Sequence, residues 1–134
     1  MQRLVIDTNC LLASINPRGA YFKLYELFVA REFEWVLSNE ILTKYEEQLT
    51  RPYSAGTALR VHDILTTAPN THFQEAHYKW QLIEADPDDN KFVDVAVAAG
   101  ADFLVTNDRH FQPLLQLEFP RVQVVTLQEF LATF

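Results

Sequence analysis

Carboxylates recur in this chain just after short apolar runs, where a side chain would project from the end of a strand. Asp7, Glu40 and Asp108 each follow such a run within three residues, and Asp89 opens a predicted helix. Four carboxylates in one crevice repel each other unless protons or cations lie between them. Oxygen-only ligand sets are the preference of Mg²⁺ and Mn²⁺. The acids therefore predict a metal site able to activate water for in-line attack on a phosphodiester.

The elements that must position these acids alternate between strand and helix. Short runs rich in β-branched and aromatic residues predict strands at 3–6, 33–37, 103–105 and 122–125. Helical spacing and cap residues predict helices at about 21–31, 38–52, 54–67, 86–100, 108–117 and 128–134. Residues 72–80 are ambiguous between strand and loop. This alternation predicts an α/β fold with a parallel sheet in a three-layer α/β/α sandwich.

In an open parallel sheet, ligands bind beyond the carboxyl ends of the strands. Asp7, Glu40 and Asp108 all belong to that edge, so we expect them to converge. Each also has a purely structural alternative. Asp7 could start an Asx-turn, Glu40 could favour a helix dipole and Asp108 could cap the next helix.

Asp89 is harder to explain as a surface acid. At about 100° per residue it shares a helix face with Phe92 and Val93, so it points towards the sheet. A carboxylate facing inward needs a partner. Asp94 lies about 140° around the same helix, and we expect it to form a surface ion pair with Lys91, three residues before it.

The composition indicates one globular domain spanning residues 1–134, which we expect to be cytoplasmic. No apolar run approaches the roughly 20 residues of a membrane span, and the single cysteine excludes an internal disulfide. The net charge of −7 opposes a general nucleic-acid-binding surface. The objection weakens if the acids surround a cation that itself attracts phosphate.

Four segments of the chain resemble the PIN-domain nucleases, in particular the toxin components of toxin–antitoxin pairs. The similar segments are L-V-I-D-T-N at 4–9, S-N-E-I-L at 38–42 followed by Y-E-E, D-P-D-D-N-K-F-V-D-V-A-V-A-A-G-A-D at 86–102 and F-L-V-T-N-D at 103–108. They occur in the family's order and span nearly the whole chain.

The resemblance implies a five-stranded parallel sheet, dependence on Mg²⁺ or Mn²⁺ and cleavage of single-stranded RNA. It also implies a small antitoxin protein as partner and a homodimer. Carried over by residue, it places Asp7, Glu40, Asp89 and Asp108 as the catalytic metal ligands. It makes Asn9 and Thr106 the groups that orient those carboxylates, a support such sites need.

The third ligand position is ambiguous in register, because Asp86 and Asp88 precede Asp89. We interpret these two as helix-start residues, and the inward face favours Asp89. Lys91 and Arg109 border the predicted crevice and are candidates for binding RNA phosphates, with the alternative that they are ordinary surface residues.

Two other functions compete with a metal-dependent endoribonuclease. Phosphoryl transfer of the receiver or haloacid-dehalogenase type also uses strand-end acids and magnesium, but the second acid expected two residues after Asp7 is here Asn9. A PIN-like module that binds RNA or protein without cutting is favoured by the negative charge and opposed by the complete set of acids.

Overall fold

The computed structural model describes residues 1–134 and contains a five-stranded, wholly parallel sheet. The strands are β1 (Arg3–Ile6), β2 (Glu34–Leu37), β3 (Thr71–Phe73), β4 (Phe103–Val105) and β5 (Val124–Val125), in the order β3-β2-β1-β4-β5. The predicted three-layer α/β/α fold with five parallel strands is confirmed. No helix is both long and apolar enough to cross a membrane.

Six α-helices cover the sheet. They are α1 (Thr8–Ser14), α2 (Phe22–Val29), α3 (Asn39–Thr50), α4 (Ala55–Thr67), α5 (Asn90–Ala99) and α6 (Leu127–Leu131). The first four connect strands that step from β1 towards β3, whereas α5 leads back across the sheet to β4. Because such crossovers are right-handed, these two groups of helices cover opposite faces.

The topology fixes where a ligand crevice forms. From β1 the chain steps through β2 to β3 on one side, and it then returns to place β4 and β5 on the other. The order therefore reverses between β1 and β4, whose residues Ile6 and Val105 are paired. A crevice is expected at this switch point, outside the carboxyl ends of the two strands.

Aromatic side chains pack one face of the sheet to its helices. Trp35 of β2 is buried, and its ring meets that of Phe28 of α2 edge-on at 5.3 Å between centroids. Trp35 Nε1 also donates to the hydroxyl of Tyr45, 3.2 Å away, and that hydroxyl donates to the carbonyl of Ile6. Helix α3 is thereby tied to the last residue of β1, directly before Asp7.

The structure differs from the sequence expectation at several elements. Helix α1 was not predicted, and the ambiguous 72–80 region contains only the short edge strand β3 before an irregular segment. The predicted helix at 108–117 is a 3-10 helix over Arg109–Gln116, with Pro113 inside it, because proline lacks the N–H that an α-helix needs. The predicted helix at 86–100 begins as a 3-10 turn at Pro87–Asp89.

Candidate active site

Asp7 lies between the central strand β1 and helix α1. It is the N-cap of α1, and its Oδ1 accepts the backbone N–H of Thr8 at 2.8 Å. Its Oδ2 accepts the hydroxyl of Thr106 at 2.8 Å. Only 5% of Asp7 is exposed. Burial raises the pKa of Asp7, the two hydrogen bonds oppose that rise, and the nearby negative charge of Asp108 adds to it.

Thr106 joins the two strand ends of the switch point. Its buried hydroxyl donates to Asp7 and accepts the backbone N–H of Asp108 at 3.0 Å. Asp108 then caps the following 3-10 helix, because its Oδ1 accepts the N–H of His110 at 2.9 Å. This geometry gives Thr106 the contact with an acid that the resemblance implies.

Asp89 is the acid whose environment is least satisfied. It lies at the junction of the 3-10 turn and α5, and only 7% of it is exposed, so its predicted inward direction is confirmed. Its Oδ2 is buried and has no hydrogen-bond partner. Burial first, and then repulsion from Asp7, Asp86 and Asp108, raises the pKa of Asp89 to about 7.

The structure brings three of the four predicted acids together. One ligand atom from each of Asp89, Asp108 and His110 lies within 4.8 Å of the other two. Asp7 lies beside this group, since the Thr106 hydroxyl joins its carboxylate to the backbone N–H of Asp108 and its charge raises the pKa of Asp89. We call Asp7, Asp89 and Asp108 the acid triad. A cation would satisfy the orphaned oxygen of Asp89 and relieve the repulsion within the triad, so these donors fit a divalent metal.

The donor set differs from the oxygen-only prediction at one position. His110 Nδ1 lies 3.3 Å from Asp108 Oδ1 and adds an imidazole nitrogen to the possible ligands. Carboxylate oxygens suit Mg²⁺ and Mn²⁺, whereas an imidazole nitrogen suits Zn²⁺, Fe²⁺ and Ni²⁺, so His110 widens the range of metals that the donor set fits.

Glu40 is not brought into this group. It is exposed on the first turn of α3 and lines a cleft of about 640 Å³ with Asp88, Lys91 and Asp94. Its charge acts on Asp94, where it raises the pKa after the larger effect of burial. As a metal ligand, Glu40 therefore stays a prediction from the resemblance.

Lys44, one turn after Glu40 on α3, enters the acidic site instead. Its ammonium group forms an ion pair with Asp88, which also accepts Lys91 Nζ at 3.0 Å. The charge of Lys44 lowers the pKa of both Asp7 and Asp89, against the larger effect of burial. Lys44 was not predicted as a site residue, and its spacing of four residues from Glu40 was the one signal in the sequence.

The prediction for Asp94 was wrong. Asp94 is 6% exposed and makes no surface ion pair, because its Oδ1 accepts the backbone N–H of Trp80 at 3.0 Å. The irregular segment after β3 covers this face of α5, and Lys91 pairs with Asp88 instead.

The remaining predicted residues lie at the border of the site. Asn9 and Arg109 are exposed, and Asn9 makes no side-chain hydrogen bond to Asp7, whose partners are Thr8 and Thr106. Asp86 caps the 3-10 turn through the N–H of Asp88, as expected of a helix-start residue, yet its charge also reaches Asp89.

A family model described as a PIN domain matches residues 3–110, which contain the whole acid triad. The chain is a member of the PIN-domain family. The switch-point crevice described above is thus the crevice of a PIN domain. No curated protein matches the chain.

Solved structures share this fold at low sequence identity. A chain of VapBC2 from Rickettsia felis, bound to a promoter DNA fragment, superposes with a TM-score of 0.65 at 17% identity, covering 93% of this chain and 98% of that one. VapC20 from Mycobacterium tuberculosis, a sarcin-ricin loop cleaving toxin, superposes with a TM-score of 0.62 at 16% identity, covering 82% of this chain and 93% of that one. DNA-bound VapBC from Salmonella typhimurium superposes with a TM-score of 0.60 at 13% identity, covering 95% of this chain and 99% of that one. These PIN-like structures support the fold.

Proposed function

We propose that this PIN domain is a metal-dependent endoribonuclease that hydrolyses phosphodiester bonds of single-stranded RNA. The observation that carries the proposal is the buried, unpartnered Oδ2 of Asp89, which lies beside Asp108 and near enough to Asp7 for the Asp7 charge to raise its pKa. A buried carboxylate without a partner is costly, and a divalent cation is the ligand that would both pair it and use the neighbouring acids. The structural likeness to VapC20, a sarcin-ricin loop cleaving toxin, supports cleavage as the reaction.

The chain's own residues would prepare this site in distinct ways. Asp7, Asp89 and Asp108 would hold Mg²⁺ or Mn²⁺, which supplies Lewis-acid stabilisation of a phosphodiester and lowers the pKa of water. Thr106 fixes the carboxylate of Asp7 against the backbone of Asp108. Because burial and the neighbouring acids raise the pKa of Asp89 to about 7, a cation bound there would compete with a proton near neutral pH.

The test uses a pool of random-sequence single-stranded RNA, because the cleavage sequence is not part of the proposal. We expect Mn²⁺- or Mg²⁺-dependent fragments from the natural protein and none in EDTA. Attack by water with the 3′-oxygen as leaving group gives 5′-phosphate and 3′-hydroxyl ends, whereas a contaminating metal-independent ribonuclease that attacks with the 2′-hydroxyl expels the 5′-oxygen and leaves cyclic phosphates. Mass spectrometry of the fragments distinguishes the two products.

The variants Asp7→Asn and Asp89→Asn should abolish cleavage while retaining the circular dichroism spectrum of the natural protein. Asp94→Asn is the matched control, because it makes the same change on a buried acid of α5 that lies outside the triad. Equal cleavage by the natural protein and both triad variants would contradict the proposal.

We infer further that the nuclease is the toxin of a toxin–antitoxin pair, acts on RNA in the cytoplasm and forms a homodimer. The superposed VapBC structures from two bacteria support an antitoxin as partner. Co-purification with the product of an adjacent small open reading frame, and suppression of RNA cleavage by it, would test the partner. Light scattering during gel filtration would test the dimer.

A second candidate is a PIN-like module that binds RNA or protein without cutting. Lys44 favours it, since an ammonium group already offsets part of the negative charge that would attract a metal. So does the net charge of −7, which opposes binding of RNA without a cation. Calorimetry showing no binding of Mn²⁺ would favour this module over the nuclease.

A further inference from the structure

Lys44 lies beside the acid triad, because its ammonium group pairs with Asp88, the residue directly before Asp89, and its charge lowers the pKa of both Asp7 and Asp89. Its position is built into the fold rather than left to a mobile surface chain. The next residue, Tyr45, is buried and its hydroxyl donates to the carbonyl of Ile6, so this turn of α3 is held against the end of β1. Only 21% of the Lys44 side chain is exposed, and Asp88 holds its ammonium group.

Asp88 gives the lysine a fixed partner next to the triad. It directly precedes Asp89, and it accepts both Lys44 and Lys91. The two lysines hold the pKa of Asp88 below its usual range, and Lys44 has the larger effect. An acid that is already paired with two ammonium groups is a poor competitor for a metal ion, whereas Asp89 beside it has an oxygen with no partner.

We propose that Lys44 is a built-in counter-cation that shares the acidic site with the metal, so that the site takes a single divalent ion and binds it weakly. The proposal rests on the proposed function only in requiring that the triad bind a metal. The fixed ammonium charge opposes the entry of each cation, and a second ion would have to displace Lys44 from Asp88. Lys44 is a tuning and positioning residue here, and no chemical step is assigned to it.

The physical effect is electrostatic and has a defined sign. Two like charges within a partly buried site repel more strongly than they would in water. Removing the ammonium group in Lys44→Met should therefore tighten Mn²⁺ binding by about tenfold or more, which is about 1.4 kcal/mol per factor of ten. Lys44→Glu replaces the ammonium group by a further carboxylate and should tighten Mn²⁺ binding more than Lys44→Met does.

The experiment is a titration with Mn²⁺ alone. Binding is measured by calorimetry and by the loss of the electron paramagnetic resonance signal of free Mn²⁺. The natural protein should bind one ion, and both Lys44 variants should bind more tightly. The matched control is Lys91→Met, because Lys91 also pairs with Asp88 and is equally shielded, but its charge is not among the causes that shift Asp7 or Asp89. Thermal melts with and without Mn²⁺ give a second readout, in which the stabilisation by Mn²⁺ should be larger for Lys44→Met.

The outcomes separate this proposal from the nuclease proposal. If the natural protein binds one Mn²⁺ and Lys44→Met binds it no more tightly than Lys91→Met does, the role of Lys44 is overturned and the metal site stands. Two ions bound to the natural protein would also overturn it. If neither the natural protein nor the Lys44 variants bind Mn²⁺, the proposed function fails and this inference fails with it.

Discussion

Asparagine in place of Asp89 should stabilise the metal-free protein at alkaline pH, although it should destroy the proposed activity. In the folded chain the pKa of this carboxyl rises from 3.8 to about 7, chiefly because of burial and then because of its acidic neighbours. Each pH unit between the two values corresponds to about 1.4 kcal/mol, so ionisation of Asp89 costs the folded state up to about 4 kcal/mol.

The sign follows from which state keeps its proton. Folded Asp89 remains protonated to a higher pH than unfolded Asp89, so its contribution to stability is fully present below pH 3.8 and is lost as the pH rises to about 7. Asparagine has no charge to lose, but it leaves the buried Oδ2 position without a partner. We therefore expect Asp89→Asn to raise the free energy of unfolding at pH 8 by about 2 kcal/mol, half the cost of ionising Asp89 in the folded state. At pH 5 the increase should be smaller.

Urea unfolding in EDTA at the two pH values measures this difference. Glu47→Gln removes the same charge from an exposed position on α3 and should change the stability little at either pH. With Mn²⁺ at about 100 times its Kd, the natural protein should become the more stable of the two. Metal binding raises its free energy of unfolding by about 2.7 kcal/mol and raises that of Asp89→Asn much less. An Asp89→Asn gain equal at both pH values, or absent at pH 8, would refute the reasoning.

Three further substitutions test the frame of the site. Thr106→Val should lower the free energy of unfolding, measured in urea, by about 2 kcal/mol, because the Asp108 N–H loses its partner. Thr106→Ser keeps the hydroxyl and should retain most of the stability. Equal losses of stability in the two variants would contradict the role of the hydroxyl. Asp94→Leu should cost about 1–3 kcal/mol by leaving the Trp80 N–H unpaired, yet an altered affinity for Mn²⁺ would place Asp94 in the metal site after all. Gly100→Ala should cost about 1 kcal/mol, measured by thermal melting, because Gly100 has a φ of +60° although the space around it is open; no loss would mean that the backbone relaxes there.

The centre of the sheet could be predicted because its strands are buried on both faces. Residues 4–6, 35–37 and 103–105 are continuously apolar, and that pattern indicates burial. Helix α1 left no comparable signal. It has only seven residues and begins inside Asp7-Thr8-Asn9, a sequence that suits a turn as well as it suits a helix N-cap.

The strand-end rule predicted Asp7, Glu40 and Asp108 at one edge of the sheet, and the helix-face rule predicted that Asp89 points inward. Neither rule placed Asp89 relative to that edge, because its position depends on the sheet topology. The relative position of two helices follows from neither rule. Glu40 and Lys44 share one face of α3, and only the packing of α3 beside α5 decides which of them reaches Asp88. Asp94 was misplaced for the same reason, since the segment that covers it belongs to no regular element.

The pairing of β1 with β4 has a consequence for synthesis of the chain. Thr106 and Asp7 are separated by 99 residues, and their hydrogen bond requires β4 to have docked beside β1. A nascent chain therefore has no assembled acid triad until Asp108 has emerged from the ribosome, long after Asp7. Chains interrupted before β4 lack Thr106 and Asp108 altogether, so translation of incomplete copies yields no working crevice.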